Sequence, residues 1–187
     1  MRKSILIVLV IPLFQLQLYS NGLPAGQVVG WGSNGSGEAV GVPASDLYSV
    51  GTVAIGGHDL TDVVAISAGL SHSLALKSNG TVVGWGNNMS GRAVGTESES
   101  PFRTNGLVEI GGQVLSNVVA IAACQYSLAL KRDGRISVWG HDPSGRPIIM
   151  PSGLSNVTAI AAGWRGSLAL KSDGTVVSWM QANVPSG

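Results

Sequence analysis

The same five residues, Ser-Leu-Ala-Leu-Lys, occur three times in this chain, at 73–77, 127–131 and 167–171. Each copy is followed by a glycine turn (Ser78-Asn79-Gly80, Arg132-Asp133-Gly134, Ser172-Asp173-Gly174) and then by a short run ending in Trp85, Trp139 or Trp179. Each is preceded by a run of small apolar residues, VVAISA at 63–68, VVAIAA at 118–123 and VTAIAA at 157–162. A fourth tryptophan half stands alone at the start, GQVVGWGSNGSG at 26–37. Units recurring at such periods cannot bury their apolar faces alone and must stack on one another, so the repeat restricts the chain to a repeat architecture.

The unit itself reads as strands. Asn-Gly and Asp-Gly tolerate the left-handed backbone of tight hairpins, and the runs between them are valine-rich and cut by glycine too often for helices. Glycine is frequent, 27 of 187 residues, with no Gly-X-Y period, which excludes collagen and fits many tight turns. The run at 63–68 is continuously small and apolar and predicts a strand buried on both faces. Tryptophan spacings of 54, 54 and 40 residues and short antiparallel sheets at that period predict propeller blades. The first two inter-tryptophan segments share extra material, 52–57 and 107–112, read as an added strand ending in a turn; the third lacks it and predicts a more compact blade.

The first residues follow different rules. Arg2 and Lys3 precede a ten-residue apolar run at 5–14, and a more polar stretch with Ser20 and Gly22 follows. This is the pattern of a secretory signal peptide over residues 1–22, leaving repeats over 23–187. The run is too short to cross about 30 Å of hydrocarbon. Loss of Arg2 and Lys3 takes the formal net charge from +1 to −1, so the exported product has no basic footprint for nucleic acid or anionic lipid and no membrane anchor. Cys124, the single cysteine, sits among Ile121, Ala122 and Ala123 and is expected to be buried and unreactive.

The repeat resembles that of the regulator of chromosome condensation family, known for Trp-Gly-x-Asn-x-x-Gly and Ile-x-x-Gly-x-x-His-Ser-x-x-Leu signatures. Residues 31–37 (WGSNGSG) and 85–91 (WGNNMSG) match the first, and 66–73 (ISAGLSHS) matches the second. Within this chain the signatures vary. Asp142 replaces the turn asparagine after Trp139, the glycine turn after Trp179 is gone, and the His72 position holds Tyr126 and then Gly166. The resemblance implies a closed ring of seven blades in typical members, and nucleotide exchange on a small GTPase as the founding activity. This chain holds about three and a half units of an incomplete ring. It ends at Pro185-Ser186-Gly187, matching the Pro151-Ser152-Gly153 that precedes an alanine half. The expectation is a fragment of a longer exported propeller or a half-ring that dimerises, with open blade edges available for self-association.

Gly30-Trp31-Gly32-Ser33-Asn34-Gly35 satisfies Gly-x-Gly-x-x-Gly but lacks a following helix to hold a pyrophosphate, and reads as a turn. His58, His72 and His141 fall in unrelated phases of the repeat, with no metal-ligand spacing. No serine sits in a nucleophile elbow. Gly163-Trp164-Arg165-Gly166 is similar to a Gly-Trp-Arg-His stretch of the plant ultraviolet-B receptor, another member of the fold family, but stands here in one copy. Trp164 and Arg165, with His72 and Tyr126 in the equivalent region of the other repeats, form the candidate binding face, since tryptophan and arginine are enriched at hot spots. Asn34, Asn79, Asn88 and Asn156 lie in Asn-x-Ser/Thr sequons.

The sequence therefore predicts an all-β protein of propeller-type blades behind a signal peptide, secreted or held at the cell surface or in the periplasm. It predicts a non-catalytic binding module with no cofactor and no metal, whose partner is a protein or a surface polysaccharide. The alternatives are a nucleotide exchange factor-like regulator, on the family resemblance, and a carbohydrate-active propeller.

Overall fold

The computed structural model describes residues 5–10, 26–41, 48–96, 104–142, 144–164 and 166–180. Apart from one 3-10 turn, Met89–Gly91, its regular elements are strands. Of the first 25 residues, only β1 (Ile5–Val10) is described; it runs parallel beside β2 (Gln27–Ser33), which carries β3 (Tyr48–Thr52) on its other edge. The small hairpin of β4 (Ala54–Ile55) and β5 (His58–Asp59) follows.

The first full blade is an antiparallel sheet in sequence order: β6 (Val63–Ala68), β7 (His72–Lys77), β8 (Val82–Gly86) and β9 (Thr104–Leu107). A second small hairpin, β10 (Glu109–Ile110) and β11 (Gln113–Val114), leads to the next blade. That blade is β12 (Val118–Ala123), β13 (Ser127–Lys131) and β14 (Ile136–Trp139). The last is β15 (Val157–Gly163), β16 (Gly166–Lys171) and β17 (Val176–Met180). The extra material in the first two segments is thus an added strand beside the tryptophan strand (β3 on β2, β9 on β8) plus a two-stranded hairpin. The hairpins are anchored alike, Val53 N–H to the Val28 carbonyl at 2.8 Å and Val108 N–H to the Val82 carbonyl at 2.9 Å. After β14 no such pair forms among the described residues; Ile148, Met150 and Leu154 pack on the core in its place.

Period-two alternation in the repeated pentapeptide divides the blade's two faces. Leu74 and Leu76, with Val82, point forward onto Val118, Ala129 and Trp139 of the next blade. Ala75, with Val83 and Trp85, points backward onto Val28 and Val53. The pattern recurs one blade on, where Leu128 and Leu130 meet Val157, Ala169 and Trp179. The core lies between blades rather than within one, and leucine fills what the alanine opposite leaves open.

The alanine-half strands depart from the expectation of burial on both faces. Each is the edge strand of its sheet, and the pairing skips Val64, Val119 and Thr158 in the three copies, forming the same bulge each time. Val64 is 50% and Val119 44% exposed. The residue two before each bulge, Asp62, Asn117 or Asn156, has φ near +60°. Its carbonyl accepts the N–H of Ser78, Arg132 or Ser172 beyond the neighbouring strand. Asn and Asp tolerate this left-handed conformation better than other residues with a Cβ.

Candidate interaction surface

The loops after the first three tryptophan strands are each held by one side chain. Asn34 Oδ1 accepts the N–H groups of Ala39 and Val40 at 3.0 and 3.2 Å, and Asn88 Oδ1 those of Ala93 and Val94 at 2.9 and 3.0 Å. Asp142 holds a tighter loop in the compact segment, accepting from Ser144 and Arg146 at 2.6 and 2.8 Å. Gly30 and Gly84 let these loops close: a Cβ there would lie 1.8 Å from the Ala39 carbonyl oxygen and 1.9 Å from that of Ala93. Gly30, the first glycine of the pattern around Trp31, is therefore a packing requirement, whereas a Cβ at Gly35 would meet nothing, and a turn rather than a helix follows Gly35. Asn34 and Asn88 are fully buried, whereas Asn79 and Asn156 are exposed.

These loops feed a polar ladder from blade to blade. The Glu38 carbonyl accepts both Ser73 Oγ and Trp85 Nε1 at 2.9 Å. One blade on, Ser127 Oγ donates to the Arg92 carbonyl at 2.8 Å. His72 Nε2 lies 2.8 Å from the same hydroxyl. Since the serine proton is used on Arg92, the imidazole donates through Nε2–H and Nδ1 is the bare nitrogen, which has no partner. His72 is fully buried, and desolvation, helped by the Arg92 charge, pushes its pKa down to about 3, so it is neutral. Gly69 makes room for the ring, because a Cβ there would lie 2.5 Å from His72 Cε1.

Tyr126 occupies the same position in the next blade and spans the next interface, its hydroxyl 2.6 Å from Ser167 Oγ. Imidazole and phenol are interchangeable here because each delivers one polar atom to the serine that opens the following pentapeptide. Burial raises the Tyr126 pKa, and at 4% exposure the residue, like His72, is withdrawn from any contact with a partner. The structure therefore places His72 and Tyr126 inside the protein as blade-to-blade links, not on a binding face. A signal for this was present in the sequence, since each lies one residue before the serine of the pentapeptide.

Trp164 is placed differently. At the tip between β15 and β16 its side chain is 58% exposed, whereas the tip positions of the other blades hold the half-buried Leu70 and the buried Gln125. Arg165 lies outside the described residues. Cys124, at the second tip, is half-buried rather than enclosed, and burial raises its thiol pKa. At the opposite end, a shallow groove of about 260 Å³ is lined by Asn79, Gly80, Asn117 and Arg132 among others. Among the described residues no group of three or more His, Cys, Asp or Glu is placed to hold a metal ion. No helix among them is long and apolar enough to cross a membrane.

Comparison with known proteins agrees with this construction. Residues 63–92 and 157–179 match the regulator of chromosome condensation (RCC1) repeat, and the intervening copy repeats their strand register. The chain is 30% identical over 182 residues to the secretion-regulating guanine nucleotide exchange factor of Mus musculus, covering 84% of this chain and 38% of the relative. It is 28% identical over 160 residues to protein pim1 of Schizosaccharomyces pombe, covering 66% and 28%. The crystal structure of human WBSCR16 superimposes with a TM-score of 0.61 at 19% identity, over 83% of this chain and 43% of that one. The chain thus spans well under half the length of the curated relatives it matches.

Proposed function

We propose that this array of RCC1-type blades is a non-catalytic binding module that is exported and engages a protein through the hairpin-tip end of the blades. The observation that carries the reading is Trp164. Large aromatics exposed on a rigid hairpin are costly to leave in water and are frequent anchors of protein interfaces. The polar side chains of the same region, His72, Ser127, Tyr126 and Ser167, are spent on internal links between blades. Export is supported by the basic start and apolar run of residues 1–14.

The test joins a location assay to a contact assay. Residues 1–22 fused to a reporter should carry it out of the cytosol, and a photo-crosslinking amino acid at position 164 should capture a protein partner on intact cells. The same probe at the exposed Asp173, at the other end of the blade, should capture none. Equal labelling from both positions, or retention in the cytosol, contradicts the reading.

A second reading, nucleotide exchange on a small GTPase, is favoured by the 30% identity to a protein named as a guanine nucleotide exchange factor. Accelerated release of a fluorescent guanine nucleotide from a purified GTPase on addition of this chain would put it first.

A further inference from the structure

We propose that the groove between the first and second full blades, at their glycine-turn end, is a binding site for an acidic sugar whose carboxylate or sulfate pairs with Lys77 and Arg132. The inference goes beyond the binding function proposed above and concerns the end of the blades opposite Trp164.

The molecule builds the frame of this groove twice. The Gly80 carbonyl accepts Val118 N–H at 3.0 Å, and the Gly134 carbonyl accepts Val157 N–H at 3.2 Å, one bond across each junction between full blades. The carbonyls of Asn117 and Asn156 accept the N–H groups of Arg132 and Ser172 at 2.8 and 2.9 Å. These bonds make the two junctions equivalent residue by residue: Lys77 with Lys131, Asn79 with Asp133, Asn117 with Asn156, and Arg132 with Ser172. The backbone repeats and the side chains do not.

At the first junction the four positions hold two cations and two carboxamides, all lining the groove of about 260 Å³. At the second they hold one cation, one carboxylate, one carboxamide and one hydroxyl, so the formal charge is +2 at the first and 0 at the second. Lys77 and Arg132 form no ion pair among the described residues, where the salt bridges are Arg135–Asp133 and Lys171–Asp173. Asp62 supplies its carbonyl to Ser78 N–H beside the groove, but its carboxylate receives the Thr61 hydroxyl at 3.3 Å and does not line the cavity. Two uncompensated like charges facing one concavity leave a positive potential there that an anion relieves. Arginine adds a planar fork matched to a carboxylate or a sulfate, and lysine a point charge.

The rest of the lining specifies what carries the anion. Asn79 Oδ1 is taken by the N–H and hydroxyl of Thr81 at 3.0 and 2.7 Å, which leaves the Nδ2 donors for a ligand. The Asn117 carboxamide offers both donors and an acceptor, the combination that sugar hydroxyls require. Val64 and Val119, 50% and 44% exposed, border the groove and present methyl groups to the C–H face of a ring. Two cations match one acidic group and are too few for a polynucleotide, whose binding rests on many phosphates. At about 260 Å³ the groove is smaller than most small-molecule pockets, which start near 300 Å³, so it holds one unit of a glycan.

The experiment is a titration of the ¹⁵N-labelled chain followed by amide chemical shifts. The probes are a galacturonate trisaccharide, its methyl ester, a sulfated disaccharide, and inorganic sulfate and phosphate. The acidic sugars should give saturable shifts at Asn79, Gly80 and Asn117 that weaken with added salt. The methyl ester should give none, and the inorganic ions weaker ones. Arg132→Ser and Asn79→Asp install the residues of the second junction, which the same backbone already accommodates. Each should weaken binding roughly fivefold, the scale of one exposed ion pair. The converse double variant, Asp133→Asn with Ser172→Arg, should bring new shifts at Gly134 and Asn156. Absence of saturable shifts with both acidic sugars overturns the proposal. Inorganic ions binding as tightly as the sugars overturn it in favour of a simple anion site. Unchanged affinity in both single variants, with folded spectra, shows that these side chains do not form the site.

Discussion

Truncating equivalent leucines in two blades tests the packing scheme most directly. Leu74 and Leu168 occupy the same place in the same pentapeptide, one at 0% and the other at 48% exposure. Leucine to alanine removes three carbons, worth about 2.4 kcal/mol of transfer free energy at about 0.8 kcal/mol per buried group. At Leu74 the carbons leave an enclosed void between two blades, and the cavity raises the expected cost of Leu74→Ala to about 2.7–5 kcal/mol. At Leu168 half the side chain already meets water and no cavity forms, so Leu168→Ala should cost roughly 1 kcal/mol or less. Urea unfolding followed by tryptophan fluorescence reads both, at a concentration where the wild type is monomeric. The m-value checks that each variant unfolds as the wild type does, which matters in a repeat array whose cooperativity can break down. Equal losses at the two positions in monomeric protein would refute the assignment of a forward leucine face that only the internal blades have covered.

Other outcomes follow from the polar ladder and the loops. His72 is neutral in the fold, with its pKa pushed down from 6.5 to about 3. The unfolded chain therefore binds the extra proton first, and stability present above pH 6.5 should be lost progressively as pH falls toward 3. The loss is at most about 1.4 kcal/mol per pH unit from this group. A His72→Gln variant should show a shallower decline between pH 7 and 5 in the urea midpoint; an unchanged slope contradicts the burial of a neutral imidazole. Tyr126→Phe and Ser167→Ala should couple in a double-mutant cycle by about 0.5–1.5 kcal/mol, and a coupling near zero would mean the 2.6 Å contact contributes nothing. Gly84→Ala should prevent stable folding, because its Cβ would lie 1.9 Å from the Ala93 carbonyl oxygen; a soluble variant with a wild-type melting temperature would show that the loop can move aside.

Much of this fold is legible in the sequence. The repeated pentapeptide, the glycine turn and the closing tryptophan are local statements. Alternation specifies a strand, Asn-Gly or Asp-Gly specifies a hairpin, and repetition specifies stacking, so blades follow without reference to distant residues. The compact third segment was visible in the same way, as residues absent between Trp139 and Val157. The site was less legible. His72, Tyr126 and Trp164 look alike as ring-bearing side chains of one variable hairpin region, yet two are buried links and one is a surface aromatic. What separates them is position and neighbour: His72 and Tyr126 stand directly before the pentapeptide and each meets a serine 55 or 41 residues away in the next blade, whereas Trp164 stands two residues earlier than their counterpart Gly166, at the hairpin tip.

The alanine-half strand shows the same division from the other side. Its composition indicates burial, but a bulge in each copy turns Val64 and Val119 to solvent, because the strand is the edge of its sheet and the pairing partner is missing on one side. Sequence by itself determined the unit, its turns and the direction each leucine and alanine faces, since these depend on backbone stereochemistry and a period of two. Only the tertiary structure decided which of those faces are covered, because burial belongs to a pair of blades and no single copy of the repeat contains both.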